Sequence, residues 1–326
     1  EGINLKYVDV YDSAQLYVRG IVNCSESGFA FKNSGSDDIK AQVFIDSNGG
    51  TRTALQTTSY LKLIPGAKLF VQGNANIKFK NDSDGSILND NRTYLFVSDN
   101  LTTSSKINMS SGSLIHCGTL STKDISTGIE NLTADAANST GLMVNGYAKV
   151  TNGSLRNYSN TYIGGVLTCS NGEILNDDNG NLFVNGAITC TNIRFYDNAN
   201  MFAYSNITTT RSNGDVISFD ANMCNSLLLC NGNVTVGGAL GIYNNAKMLV
   251  KGYVNANGAI NVGATSMLYA RGNIEFNADS STAEGILYTD SILKSNYSSV
   301  STLYYLSKNK VYPRPASLST TIRNNV

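Results

Sequence analysis

A nine-residue pattern returns along this chain about every 20 residues, and few architectures accept that interval. LYVRGIVNC (16–24), LFVQGNANI (69–77), LMVNGYAKV (142–150), TYIGGVLTC (161–169) and LFVNGAITC (182–190) share it. LLCNGNVTV (228–236), MLVKGYVNA (248–256) and LYARGNIEF (268–276) continue it. The copies are anchored on Gly20, Gly73, Gly146, Gly165, Gly186, Gly232, Gly252 and Gly272. Weaker copies at 95–101 and 201–207 put Asp99 and Ser205 in the glycine slot. A second element recurs as DGSILN (84–89), NGSLRN (152–157) and NGEILN (171–176). Six residues before the anchor stands a small residue: Ala14, Ala67, Gly180, Ala246 or Ser266. Each repeat therefore reads as turn, strand, glycine, strand, Asn-Gly turn and short strand.

Apolar and polar residues alternate inside each copy, which is the period of a strand. Helical repeats need about 33 residues or more and a 3.6-residue period, and that period is missing. The expectation is an all-β fold, a parallel β-helix with windings of about 20 residues. Roughly fourteen windings at about 4.8 Å each would give a stack of about 65 Å. Composition agrees, since the polar positions are dominated by Asn, Ser, Thr and Gly, which favour turns over helix. The β-solenoid is expected over 1–300, with irregular insertions near 25–60 and 118–140. Residues 291–326 depart from the pattern, and 301–326 read as a C-terminal cap or tail. Pro313 and Pro315 cannot donate to a ladder, so the chain should leave the winding there.

The stretch 248–276, MLVKGYVNANGAINVGATSMLYARGNIEF, repeats apolar-x-Gly-x-apolar steps at 20 residues. In this it resembles the right-handed parallel β-helices of bacterial surface proteins, especially the filamentous-haemagglutinin-like group. The resemblance is one of architecture. It implies a right-handed coil and an extracellular or cell-surface setting, and carries no implication about catalysis.

Counting from the anchor glycine, positions −4, −2, +2 and +4 are aliphatic and should point inward. Cys24, Cys169 and Cys190 share position +4 and read as buried core cysteines. A disulfide between Cys169 and Cys190 is the sharper alternative, though a regular parallel ladder suits it poorly. Position −3 must then face outward. It holds Tyr17, Phe70, Phe96, Met143, Tyr162, Phe183, Phe202, Leu229, Leu249 and Tyr269. The next outward slot, −1, is polar: Arg19, Gln72, Asn145, Asn185, Lys251 and Arg271. A column of ten large apolar side chains exceeds what a soluble monomer usually exposes. A segment of the same chain covers it, a neighbouring molecule does, or it stays partly exposed.

Other chemistry is sparse. The single histidine, His116, reads as a surface or loop residue, and Cys117 beside it on a strand would point the other way. Acid pairs, Asp82 with Asp84 and Asp177 with Asp178, fall in Asn/Gly-rich turns where Asp is expected for local hydrogen bonds. KNDSDG (80–85) has Lys80 where a calcium loop needs its first ligand. Outward threonines at Thr168, Thr189, Thr191, Thr208 and Thr210 could form a short water-ordering array, but other windings put Asn76, Lys149, Asn255 and Glu275 there. No metal site, cofactor or catalytic group is expected. The 24 basic and 24 acidic residues balance, which argues against nucleic acid or a polybasic membrane surface as partner. No apolar run reaches transmembrane length.

The expected role is structural: a secreted or cell-surface, self-assembling subunit of a fibre, appendage or surface layer, or an adhesin shaft. The expected partner is the protein itself, with cell-surface glycans as a further possibility. The alternative is a β-helix that binds or cleaves polysaccharide. From Ser291 onward there are five bases and no acid, whereas residues 1–50 carry seven acids and four bases, so unlike ends attract. Tyr304, Tyr305, Lys308, Lys310 and Arg314 are the candidate tail contacts.

Overall fold

A computed structural model describes residues 2–26, 28–34, 39–48, 52–77, 87–89, 92–110, 112–127, 140–219, 225–277, 281–295, 302–306 and 322–323. The fold is a parallel β-solenoid, and no helix occurs among the described residues. The repeat predicts one stack over 1–300; the chain forms two compact units, Glu1–Thr168 and Cys169–Val326.

In the first unit each winding gives one strand to each of three parallel ladders. The first face runs through Gln15–Arg19, Gln42–Asp46, Lys68–Gln72, the opening halves of Tyr94–Thr103 and Leu114–Thr122, then Gly141–Val144 and Asn160–Ile163. The second contains Gly2–Leu5, Ile21–Cys24, Thr53–Thr57, Asn74–Ile77, the closing halves of the two long strands, and Ala148–Val150. The third contains Val8–Tyr11, Phe29–Lys32, Leu61–Leu63, Ile87–Asn89, Lys106–Met109, Asp124–Thr127 and Leu155–Asn157. Strict alternation sends every second side chain to the axis. Val43, Leu69, Leu95, Ile115 and Leu142 thus stack in register as one buried column, beside Ile45, Val71, Val97, Cys117 and Val144. Burying each such side chain contributes about 1.5–3 kcal/mol.

The second unit repeats the arrangement. Its first face contains Asn181–Val184, Asn200–Ala203, Leu227–Cys230, Lys247–Val250, Met267–Ala270 and the closing half of Thr282–Thr289. Its second face begins with residues 188–190 and continues through Ile207–Thr209, Val234–Val236, Val254–Ala256, Ile274–Phe276 and Leu293–Ser295. On the third face Phe195 and Phe219 are fully buried and stacked, with centroids 4.5 Å apart.

Two local devices hold the windings in phase. Corners leading into the first face close with an N–H bond to the carbonyl three residues earlier: Ala67 to Ile64 (3.0 Å), Gly180 to Asp177 (2.8 Å), Ala246 to Tyr243 (3.2 Å) and Ser266 to Gly263 (2.9 Å). Asn244 (φ 58°) and Asn245 (φ 64°) take left-handed angles in one such corner, and Gly66 (φ 88°) does so after Pro65 in another. Ala67, Gly180, Ala246 and Ser266, which close these corners, are buried, which explains the small residue at position −6 there; Ala14, in the first winding, is exposed. The second device is the anchor glycine. Gly252 N–H donates to the Gly232 carbonyl (3.0 Å), and Gly272 N–H to that of Gly252 (2.8 Å). A Cβ on Gly252 would lie 2.6 Å from the Gly232 oxygen, so close approach of successive turns excludes a side chain.

The stretch 25–60, expected to carry insertions, supplies a rung to all three faces: Phe29–Lys32, Gln42–Asp46 and Thr53–Thr57. Its copy of the motif is VFIDS (43–47), with Ser47 in the glycine slot. In the other irregular region, residues 118–127 join the ladders, and 128–139 lie outside the described residues. At the C-terminal side, Thr302–Leu306 pairs with Thr282–Thr289, and Leu303 and Tyr304 pair with Ile322 and Arg323.

Candidate functional site

Ladder register decides what the −3 side chains face. In the first unit Tyr17, Phe44, Phe70, Phe96, His116, Met143 and Tyr162 are in-register neighbours on the first face. In the second unit the same column contains Phe183, Phe202, Leu229, Leu249, Tyr269 and Tyr288. Their strand neighbours on both sides point to the core. Tyr17 is 65% exposed, Met143 44%, Tyr162 42%, and Phe44 and Phe183 40% each. Phe70, Phe96, Phe202, Leu229, Leu249 and Tyr269 are half-buried by the side chains above and below them.

Phe44, His116 and Tyr288 belong to this column although the motif does not reveal them. His116 is not in a loop. It projects from the outer side of Leu114–Thr122 while Cys117 points to the core. Its ring meets Phe96 edge-on at 5.2 Å, and its Nε2 lies 3.2 Å from Asn145 Oδ1. The segment IHCG (115–118) is one residue shorter than the template, and the ladder takes up the deletion as a register shift after Val97. Tyr288 follows Tyr269 in register, with ring centroids 5.2 Å apart.

Ring geometry fixes what the column offers a partner. Phe44 and Phe70 stack at 4.6 Å with their planes 4° apart, and Phe183 and Phe202 at 4.7 Å and 6°. Those spacings match the rise of one winding. The rings therefore spend their faces on each other and turn their edges outward. Next to the column, Arg19, Gln72, Asn145, Asn185, Lys251 and Arg271 are exposed. Arg19 Nε donates to Asn48 Oδ1 (2.9 Å), and Tyr17 hydroxyl to Asp46 Oδ2 (3.4 Å). The Tyr269 hydroxyl donates to Asp290 Oδ2 (2.7 Å), and that bond raises its pKa. Tyr17, Phe44, Phe70 and Phe96, with Asp46, Gln72 and Ser98, line an open concavity of about 330 Å³.

No known protein family, curated protein or solved structure matches this chain. The site has to be read from its own chemistry.

The remaining candidates divide clearly. Cys24, Cys169 and Cys190 are buried free thiols, as are Cys117 and Cys230, so the Cys169–Cys190 disulfide is not formed. Burial pushes the Cys24 and Cys230 thiols up to about 11 and Cys117 to about 12, and raises Cys190 well above its ordinary value. Such thiols stay protonated and inert at neutral pH. Asp177 accepts from the Asp178 N–H (2.8 Å) at a corner where Asp178 and Asn179 have φ of 41° and 66°, which is turn chemistry. Thr189 and Thr208 stack in register, but the column passes to Thr235, Asn255, Glu275 and Lys294. Thr191 and Thr210 hydroxyls donate to the Gly172 and Cys190 carbonyls. Glu173 accepts from Asn192 Nδ2 (2.7 Å) and lies 3.5 Å from Arg194 Nε, a clasp between neighbouring windings of the second unit. Backbones of Tyr304 and Tyr305 are in a ladder strand. Asp82, Asp84, Lys308, Lys310 and Arg314 lie outside the described residues.

Proposed function

We propose that this protein is a structural, self-assembling β-solenoid of secreted or cell-surface material, a subunit of a fibre, appendage or surface layer or the shaft of an adhesin. In this reading it serves as the filamentous-haemagglutinin-like surface proteins do, by presenting a long, regular surface rather than by catalysis. The observation that carries the proposal is the outward column of large side chains, present on every described rung of the first face in each unit and apolar except at His116. Its partner is a second copy of the chain, packed side by side. Within one unit the exposed parts of these side chains, with Leu114 or Ile286 beside them, amount to on the order of 500 Å². A stable interface takes about 800 Å² per partner, so the column and its polar flank together approach that size. Ring edges turned outward suit interdigitation with another such column. Buried, protonated thiols are compatible with an oxidising exterior, where accessible ones would react.

A second reading, glycan binding, draws on the concavity at Tyr17, Phe44 and Phe70, where aromatic side chains meet Asp46, Gln72 and Ser98. Sugar rings stack on aromatic faces, and the Phe44 and Phe70 faces are engaged with each other. That favours the protein partner. Sedimentation velocity over a wide concentration range decides between them, with glycan-array binding run in parallel on wild type and Phe44→Ser/Phe70→Ser. Concentration-dependent association that the double variant weakens supports lateral assembly. A monomer whose glycan binding the double variant abolishes supports the second reading.

A further inference from the structure

The first face of the second unit is symmetric in shape and lopsided in charge. From Phe183 onward its column reads Phe183, Phe202, Leu229, Leu249, Tyr269 and Tyr288. Two rings, two leucines and two rings give the same profile from either end, with the midpoint between Leu229 and Leu249. The edge at −1 has no such symmetry. In rung order it holds Asn185, Tyr204, Asn231, Lys251, Arg271 and Asp290. Backbone bonds keep it in register: Tyr204 N–H donates to the Val184 carbonyl (2.9 Å), Lys251 N–H to Cys230 (2.8 Å) and Arg271 N–H to Val250 (2.9 Å). All six side chains are exposed, Tyr204 to 68%. Lys247 adds a charge at the opposite edge, on the same rung as Lys251. On this face the charges are therefore confined to the last three rungs, and the first three are neutral.

Two copies packed through this face with their strands aligned are related by a two-fold axis that runs either along the stack of windings or across it. An axis along the stack sets every rung against its own copy and crosses the two edges over. Lys247 then faces Lys251 of the second copy, and the same clash occurs again by symmetry. An axis across the stack, at the midpoint of the column, reverses the rung order and keeps each edge against itself. Ring then meets ring and leucine meets leucine. The charged half of each copy meets the neutral half of the other: Lys251 faces Asn231, Arg271 faces the exposed Tyr204 ring, and Asp290 faces Asn185. No like charges meet, an arginine lies against an aromatic ring, and side-chain amides oppose the remaining ions. From this pattern we infer that the second unit pairs antiparallel with the same face of a second copy, about a two-fold axis between Leu229 and Leu249. The inference rests on the lateral assembly proposed above and adds its orientation and its centre. A two-fold contact is closed. It engages the second unit's face within one pair of chains and leaves the first unit's column for any further contact.

Crosslinking between singly labelled chains reads the orientation directly. Cys24, Cys117, Cys169, Cys190 and Cys230 are buried from a thiol reagent, and Cys224, outside the described residues, is changed to Ser in every chain. With a short bismaleimide, an equimolar mixture of Asn185→Cys and Asp290→Cys chains should form crosslinked pairs. A mixture of Asn185→Cys and Asn181→Cys chains, the positions that an axis along the stack brings together, should not. Charge at position 185 gives a second readout. Within one chain Asn185 and Asp290 are separated by roughly 24 Å of stacked windings, so they influence each other only across the contact. Sedimentation equilibrium should show Asn185→Asp raising the dissociation constant about five- to tenfold and Asn185→Lys lowering it by a similar factor. Both effects should shrink in high salt and vanish in an Asp290→Asn background, with the β-type circular dichroism spectrum unchanged throughout. Crosslinking of the 185/181 mixture in place of the 185/290 mixture, or association indifferent to charge at 185, would overturn the antiparallel pairing and leave lateral assembly standing. A wild type that stays monomeric at every concentration would overturn both.

Discussion

Val184 shows how little freedom an inward residue has here. It sits fully enclosed on the first face, in register with Ala203. Val184→Asp would bury an unpaired carboxylate at a cost of several kcal/mol, more than a domain of ordinary stability can spare. The expected outcome is loss of the β-type circular dichroism spectrum and recovery in inclusion bodies. Cys117 makes the same point through pH. Burial raises its thiol from 9.0 to about 12, so the stabilisation from keeping it protonated is whole below pH 9 and is lost as pH rises from 9 to about 12. Cys117→Val, flanked by Val97 and Val144, should melt like wild type at pH 7. Between pH 9 and 11 the variant should lose less stability than wild type, by roughly 1–3 kcal/mol. Paired thermal melts across that range measure the difference. The inward pattern was legible in the sequence because side-chain alternation depends on nothing beyond the strand itself. His116 was not, because a single deleted residue in IHCG shifts the phase, and only pairing with Phe96 and Met143 restores it.

Among the elements, the turn at the anchor glycine sets the pitch. Where anchor glycines follow one another, as at Gly232, Gly252 and Gly272, successive turns are bonded through their backbones and leave no room for a side chain. Gly252→Ala should cost about 1–3 kcal/mol, by driving a Cβ against the Gly232 carbonyl. Gly263→Ala is the matched control, since its added Cβ would meet only Tyr243 atoms and the Ile242 carbonyl at 3.3 Å or more. Chemical denaturation of the two variants should separate them clearly. The elements that escaped the motif did so for the complementary reason. At Ser47 and Asp99 a different turn replaces the glycine: Asn48 takes φ 64° and donates its N–H to Asp46 Oδ1 (2.8 Å), and the Ser98 hydroxyl accepts from Gly73 N–H (2.8 Å). Strand pairing survives there without the sequence signature, which is why 25–60 reads as an insertion and folds as a winding.

For the whole molecule, the outward column is the surface on which the proposed assembly rests; position −3 marked ten of its members, and ladder register added Phe44, His116 and Tyr288. What sequence could not supply was ring orientation, which depends on the rise between windings. Phe183→Ser/Phe202→Ser removes a stacked pair worth about 0.5–1.5 kcal/mol beyond the area it covers. Both residues face outward, so the expected result is an intact spectrum, a slightly lower melting temperature and weaker side-by-side association in sedimentation. Unfolding of this variant would mean that the column is covered from within its own chain.

Register partners along the first face are separated by one winding, as Phe183 is from Phe202 and Leu249 from Tyr269. Each winding therefore touches little beyond its predecessor and its successor, and order spreads down the polypeptide like a zip fastener. A newly emerged segment needs only the segment made just before it, so the protein can acquire structure in the direction of its synthesis. By the same logic damage stays local: loosening Gly2–Leu5 deprives Ile21–Cys24 of one neighbour and leaves the distant windings untouched.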